Sequence, residues 1–333
     1  MKYVDEFRDA DVARALAETI SREVSPDREY RLMEFCGGHT HAIFRYGIPD
    51  LLPEQINMIH GPGCPVCVLP MSRIDAAIAL AVEHKVTLCS YGDMLRVPGS
   101  NSSLLKARAE GADIRMVYSV MDALKVAQEN PGKEVVFFAI GFETTTPPTA
   151  VAIKQASQSG LSNFSVFCNH VLTPAAITGI LDSPEVSTEK SLRLDGIVGP
   201  AHVSTVIGSK PYDIVASQYE VPVVISGFEP LDVLQSILML VRQLNEGRIE
   251  VENEFSRAVT PDGNLKAQKI VSDTLTLRDE FEWRGLGFIP KSGLQIREEY
   301  SLLDAEKRFL LTEKAAKENK ACECPAILRG VKT

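Results

Sequence analysis

A chain of 333 residues with 45% hydrophobic and 24% charged residues has an ordinary globular composition and is too long for one small core, so two to three domains are expected. A formal net charge of −9 argues against non-specific nucleic-acid binding, which needs a basic face. The apolar runs fall short of a membrane span, the N-terminus has no signal-peptide pattern, and seven cysteines form an odd set, so the expectation is a cytoplasmic protein, with no nucleic-acid or membrane partner, that uses thiols for metal or redox chemistry.

In chain order, Phe7, Val12, Leu16 and Ile20 recur at near-helical spacing and predict an amphipathic helix over 5–24, ended by Ser25-Pro26-Asp27. Short apolar runs then predict strands at 31–35, 55–59, 86–89, 114–118, 134–140, 164–167, 196–198 and 221–225. Helices are expected near 40–46, 72–84, 102–110, 120–129, 146–158, 174–181, 203–208 and 231–245. This alternation implies an α/β protein with parallel sheets and helices on both faces. Three segments recur in order about 132 to 138 residues apart: Phe35–Ile48 resembles Phe167–Ile180, Ile56–Cys64 resembles Asp195–His202, and Leu88–Asp93 resembles Val224–Glu229. Two similar Rossmann-like lobes are expected, 29–130 and 131–247, with the boundary near Asn130-Pro131-Gly132. Beyond Gly247 the pattern turns polar and then Gly/Pro-rich, and 302–319 reads as a charged helix. Residues 248–333 are therefore expected to form a third domain, completed by the N-terminal helix within 1–28.

The chemistry concentrates in a few loops. CGGHTH, Cys36–His41, follows a predicted strand and opens a predicted helix, a position that favours thiolate over thiol. Gly37 and Gly38 permit a turn with positive φ and close approach, and His39 and His41 can ligate metal or shuttle protons. Cys64 and Cys67, in GPGCPVC, form a C-x-x-C pair suited to thiol exchange or to half a zinc site. In FFAIGFETTTP, Phe137–Pro147, Glu143 follows a strand as a carboxylate available to the thiol and imidazole groups, and Thr145 or Thr146 can cap the next helix. No P-loop or G-x-G-x-x-G supports nucleotide binding. Cys89 and Cys168 read as small core residues, and His60, His170 and His202 as structural. Cys322 and Cys324 sit in a polar tail and point to a metal site.

CGGHTH, GPGCPVCV and GFETTTP, in this order, closely resemble the signature motifs of the HypD family of nickel–iron hydrogenase maturation factors, and the resemblance runs over almost the whole chain. It implies two similar α/β lobes and an iron–sulfur domain, mainly helical, built from both chain ends. It implies a scaffold on which iron becomes an Fe(CN)2CO centre. Cys36 would be the iron ligand beside a cysteine of a HypC-like chaperone, with His39 assisting. Cys64 and Cys67 would be a redox pair, and cyanide would arrive from a HypE-like carrier. The family's 4Fe-4S cluster needs four ligands, whereas the tail supplies Cys322 and Cys324. Either the tail is shortened, or the cluster is lost or completed elsewhere. Two other readings use the same residues: a thiol–disulfide oxidoreductase working through Cys64 and Cys67, and a zinc-binding structural protein with Cys36, His39, Cys64 and Cys67 as ligands.

Overall fold

Segments such as VVFFAIG, and FSVFCNH up to Cys168, are apolar or small on both sides of the chain, so a strand made of them is stable only with helices above and below it. Both are buried at every position. In the computed structural model, which describes residues 5–183, 186, 193–311, 323, 326 and 327, the strands are β1 (Tyr30–Glu34), β2 (Ile56–His60), β3 (Thr87–Ser90), β4 (Ile114–Met116), β5 (Val135–Gly141), β6 (Phe164–His170), β7 (Gly196–Pro200), β8 (Val223–Ser226) and β9 (Val251–Asn253). They form two sheets, ordered β2-β1-β7-β8-β9 and β4-β3-β5-β6, with every neighbouring pair parallel. All eight predicted strands are present, and the intervening helices fall close to their predicted positions, those at Val120–Glu129 and Thr146–Gln158 without adjustment.

The first sheet lies in a compact unit drawn from 5–64 and 176–265, the second in a unit drawn from 65–175 and 266–311. The boundary expected near residue 130 does not divide them. It falls between β4 and β5, and Thr87–Cys89 of β3 pair with Val135–Phe137 of β5 across it. Nor do the three internal matches mark equivalent strands, since β2 and β7, one matched pair, belong to the same sheet. Strand–loop–helix units look alike in sequence because each satisfies the same burial rule, and that rule does not encode which strand pairs with which. The real likeness is topological. Numbering each sheet's strands by their own chain order, both follow 2-1-3-4, with β9 extending the first.

The described parts of the regions expected to share a third domain fall into these units instead, helix Ala10–Glu23 in the first and residues 266–311 in the second. Helix Ala10–Glu23, capped by the Asp9 carboxylate on the N–H groups of Asp11 and Val12, lies against helix Pro230–Glu246. It buries Ile20 with Tyr30, Leu32, Ile43 and Ile237 of the first unit. In the second unit, β10 (Leu275–Leu277) pairs with β13 (Leu294–Ile296), and β11 (Glu280–Trp283) with β12 (Gly287–Pro290), all antiparallel. Leu275, Leu294, Ile296 and Leu303 join Phe137 and Val166 in one core. A buried ion network fastens this segment: Arg73 (2% exposed) reaches Asn169 and Glu306, both at 2.5 Å, and Glu306 also pairs with Arg278. The described part of the expected helix at 302–319 is a 3-10 turn, Glu298–Leu303, and a short helix, Ala305–Arg308. Among the described residues, no helix is long and apolar enough to cross a membrane.

Candidate functional site

In open parallel sheets, ligands bind beyond the carboxyl ends of the strands where the winding direction reverses. With a 2-1-3-4 order that point lies between β1 and β7 in the first sheet and between β3 and β5 in the second. CGGHTH leaves β1 and GFETTTP leaves β5, so each motif stands at the switch point of its own sheet.

In the first unit, Cys36 is the extended residue before helix Gly37–Arg45, partly buried. Its position at the helix start does not produce a thiolate. Burial pushes the thiol up to about 11 and the neighbouring Glu34 carboxylate adds to this, while the N–H groups of Gly38 and His39 only partly offset it. Cys36 is thus a thiol at neutral pH, one that loses its proton when a metal cation takes its place. Gly37 and Gly38 are helical, without the positive φ expected of them. The need for glycine here is space. A Cβ on Gly38 would stand 2.5 Å from the Phe228 ring, and one on Gly63 would stand 2.5 Å from the Gly37 nitrogen and 2.7 Å from the Cys36 carbonyl carbon. The Gly37 N–H donates to the Gly63 oxygen at 3.2 Å, so the GPGC loop, with Cys64 next in line, lies directly on the Cys36 turn.

The two motif histidines part company. Two helical positions are roughly 200° apart, and His41 is exposed while His39 is fully buried. Nε2 of His39 lies 3.0 Å from the Ser226 oxygen and 2.9 Å from the Gly227 oxygen. Both are acceptors, so Nε2 carries the proton and Nδ1 keeps a lone pair with no hydrogen-bond partner. Burial lowers the pKa of this ring, holding it neutral. Phe228 packs between His39 and His202, with centroid distances of 4.7 and 4.2 Å.

Sequence reasoning missed Glu34. This carboxylate is fully buried at the end of β1, where it accepts from the Cys36 N–H at 2.8 Å, from Nδ1–H of His60 at 2.8 Å, and from the Thr40 hydroxyl. Glu34 and His60 are register partners across β1 and β2. The available signal was a charged residue closing an apolar strand directly before the motif.

Cys67, exposed, and Glu143 belong to the second unit, whereas Cys64, partly buried, closes a segment of the first. Glu143 is 4% exposed and engaged: Oε1 accepts from the Thr173 N–H at 2.8 Å and Oε2 from its hydroxyl at 2.9 Å. Burial raises its pKa to about 7, the bonds from Thr173 only partly offsetting this. Thr145 and Thr146 do not cap the following helix with their side chains; they donate to the oxygens of Phe142 (3.1 Å) and Glu143 (2.8 Å) and so tighten the turn. His170, assigned a structural role, is buried between Thr149 (2.9 Å) and the Gly141 oxygen (3.4 Å).

Among the described residues, no group of three or more His, Cys, Asp or Glu is placed to hold a metal ion, so Cys36, His39 and Cys64 do not form a ready-made zinc cage. Cys89 and Cys168 are fully buried strand residues, as expected. Cys322 and Cys324 lie outside the described residues, and the described residues do not supply the four thiolates of an iron–sulfur cluster.

Comparison with known proteins agrees with these motifs. A family model described as HypD, hydrogenase formation hypA family, matches residues 11–333. The chain is 66% identical, over its full length and 88% of the relative's, to the hydrogenase maturation factor HypD of Azotobacter vinelandii. The same identity and coverage relate it to the hydrogenase expression/formation protein HupD of Azotobacter chroococcum. Identity to the hydrogenase maturation factor HypD of Escherichia coli K12 is 44%, over 99% of this chain and 88% of that protein.

Proposed function

This chain belongs to the HypD family of hydrogenase maturation factors, and from that premise we propose that it is the scaffold on which cargo iron gains the cyanide and carbonyl ligands of a nickel–iron hydrogenase. The observation that carries this reading is Cys36 at the switch point of the first sheet, with the GPGC loop packed on its turn. A low-spin iron with strong-field ligands favours soft thiolates, and Cys36 supplies one. A HypC-like chaperone completes the coordination with its own cysteine, a role in keeping with a site that brings together no group of three metal-binding side chains among the described residues. His39, neutral and buried, offers the unpartnered Nδ1 as an acceptor beside the cargo.

Cyanide comes from a HypE-like carrier as a thiocyanate. Releasing it breaks the S–C bond and takes two electrons, leaving a carrier thiol and cyanide. Cys64 and Cys67 supply those electrons by passing from two thiols to one disulfide, with release of two protons, one of which the carrier sulfur takes up. Glu143, near neutrality in its pKa, is poised to hold or release a proton in the second unit. The membership itself establishes a general role in hydrogenase maturation.

Anaerobic purification with the HypC-like chaperone, followed by iron analysis, tests the scaffold. The wild-type complex is expected to carry iron, Cys36→Ala to fall to background, and Cys64→Ala and Cys67→Ala to retain it. Iron retained in Cys36→Ala would refute the assignment.

A further inference from the structure

We propose that Glu254 is a positioning residue for His39, acting through the Ser226–Gly227 peptide that lies between them. This role rests on the reading of His39 as an acceptor beside the cargo, and deepens it. Glu254 directly follows β9, and β9 pairs with β8, so the residue stands at the carboxyl edge of the first sheet, where β8 runs out into Gly227 and Phe228. There one peptide makes two bonds. Its carbonyl, on Ser226, accepts from Nε2–H of His39 at 3.0 Å, and its N–H, on Gly227, donates to Oε2 of Glu254 at 3.1 Å. The carbonyl and N–H of a trans peptide point in opposite directions, so His39 and Glu254 hold it from opposite sides. The Gly227 carbonyl gives Nε2 a second acceptor at 2.9 Å.

What Glu254 controls is the way this peptide faces. Turned over, the peptide would set the Gly227 N–H against Nε2–H, a clash of two donors that the ring relieves by moving its proton to Nδ1. The lone pair that Nδ1 now keeps would be lost. Glycine makes such a reversal sterically cheap, and glycine is imposed here, since a Cβ on Gly227 would stand 2.0 Å from Oδ2 of Asp232. The bond to Glu254 is what keeps the carbonyl toward His39, and a hydrogen-bonded N–H also makes the same amide a stronger acceptor at its oxygen. Glu254 is itself held. Arg257 reaches Oδ2 of Asp232 at 2.5 Å and Oε1 of Glu254 at 3.8 Å, and Asp232 accepts from the Glu229 N–H at 3.2 Å. Two carboxyl groups thus fix both ends of the Gly227–Glu229 turn, whose middle residue, Phe228, packs on the His39 ring. Burial and then the adjacent Asp232 charge raise the Glu254 pKa, with the Gly227 N–H and Arg257 only partly offsetting them. A protonated Glu254 can accept from Gly227 with one oxygen and donate from the other toward Asp232, whose Oδ1 is buried with no hydrogen-bond partner among the described residues. Glutamine can make the same two bonds.

The full chain, isotopically labelled in its histidine nitrogens, is the test. Long-range proton–nitrogen correlation spectra read which ring nitrogen of His39 is protonated, and His39→Gln identifies the signal. Wild type and Glu254→Gln are expected to hold the proton on Nε2 and to exchange it slowly. Glu254→Met, of similar length but with no acceptor, should exchange it about 10-fold faster, the factor carried by one net hydrogen bond, and show a share of the Nδ1–H tautomer. Glu254→Asp, which keeps the charge but draws the acceptor back from Gly227, should do the same, and it keeps the test open should circular dichroism show Glu254→Met misfolded. A general loss of packing would lower the unfolding midpoint without moving the proton between ring nitrogens. Wild-type tautomer and exchange in the folded Met or Asp variant, or Glu254→Gln behaving as they do, overturns the proposal. In the anaerobic complex with the HypC-like chaperone, cyanide bands should appear at least about 10-fold more slowly in Glu254→Met and in His39→Gln, and no more slowly in the double variant than in His39→Gln. Cyanide bands at the wild-type rate in His39→Gln refute instead the His39 reading beneath it.

Discussion

A buried carboxyl group titrates where its surroundings put it, and Glu143 has been moved toward neutrality. Its pKa in the folded chain is raised to about 7 from an ordinary 4.5, so the folded state holds the proton more tightly than the unfolded state does. The resulting stabilisation is complete below pH 4.5 and is lost as the pH climbs through 7, with an amplitude of about 3 kcal/mol. Glu143→Gln should remove that slope and leave the variant more stable than wild type at pH 8, as thermal unfolding between pH 5 and 8 will read; an unchanged slope would mean the group titrates normally. Gly63 gives a second residue-level expectation. Its added Cβ meets backbone atoms of Cys36 and Gly37, which cannot rotate away. Gly63→Ala should therefore cost about 1–3 kcal/mol in urea unfolding and weaken metal binding at Cys36. Residue types in the motifs were legible in the sequence, since Cys36, His39 and Cys64 are conspicuous by chemistry. Their states were not. The thiol is raised rather than lowered because burial outweighs one helix start, and the glycines answer to Phe228 and Gly63, which are distant in sequence. Glu34 was overlooked for the same reason, its meaning depending on His60 in the neighbouring strand.

At the scale of elements, periodicity located the eight main strands and most helices because burial imposes a repeat on each segment by itself. The short strands of 275–296 escaped: each offers only two or three inward residues, such as Phe281 and Trp283, in a stretch dominated by polar and Gly/Pro positions. The N-terminal helix was found but given the wrong neighbour, since an amphipathic face announces burial and not its partner. The structure supplies that partner in helix Pro230–Glu246, with Glu23 paired to Arg242 at 2.7 Å at the rim. Ile20 is fully buried in this contact. Ile20→Ala should lower the unfolding free energy by about 2–5 kcal/mol in denaturant titration, and a loss under 1 kcal/mol would show that the helix is not part of the first unit's core.

At the scale of the whole molecule, the chain enters the first sheet with β1 and β2, builds the second with β3 to β6, and returns with β7 to β9. Fragments 29–130 and 131–247, the lobes that internal likeness marks out, would each divide a sheet between its first and third strands. Each should therefore lack cooperative unfolding by circular dichroism; a cooperative transition in either would contradict the strand order. This interleaving could not be read from the sequence, because strand pairing is fixed by contacts across more than a hundred residues, whereas the motifs are local. What the interleaving achieves is two switch points, one presenting Cys36 and the other the turn of Glu143. In the proposed function, Cys36 holds the iron that receives cyanide and carbonyl while Cys64 and Cys67 supply electrons. Infrared spectroscopy of the anaerobic complex with the HypC-like chaperone, after incubation with the cyanide carrier, tests it directly: cyanide and carbonyl bands in the wild type, none in Cys36→Ala, and iron without cyanide bands in Cys64→Ala and Cys67→Ala. Bands of wild-type intensity in Cys36→Ala would contradict it.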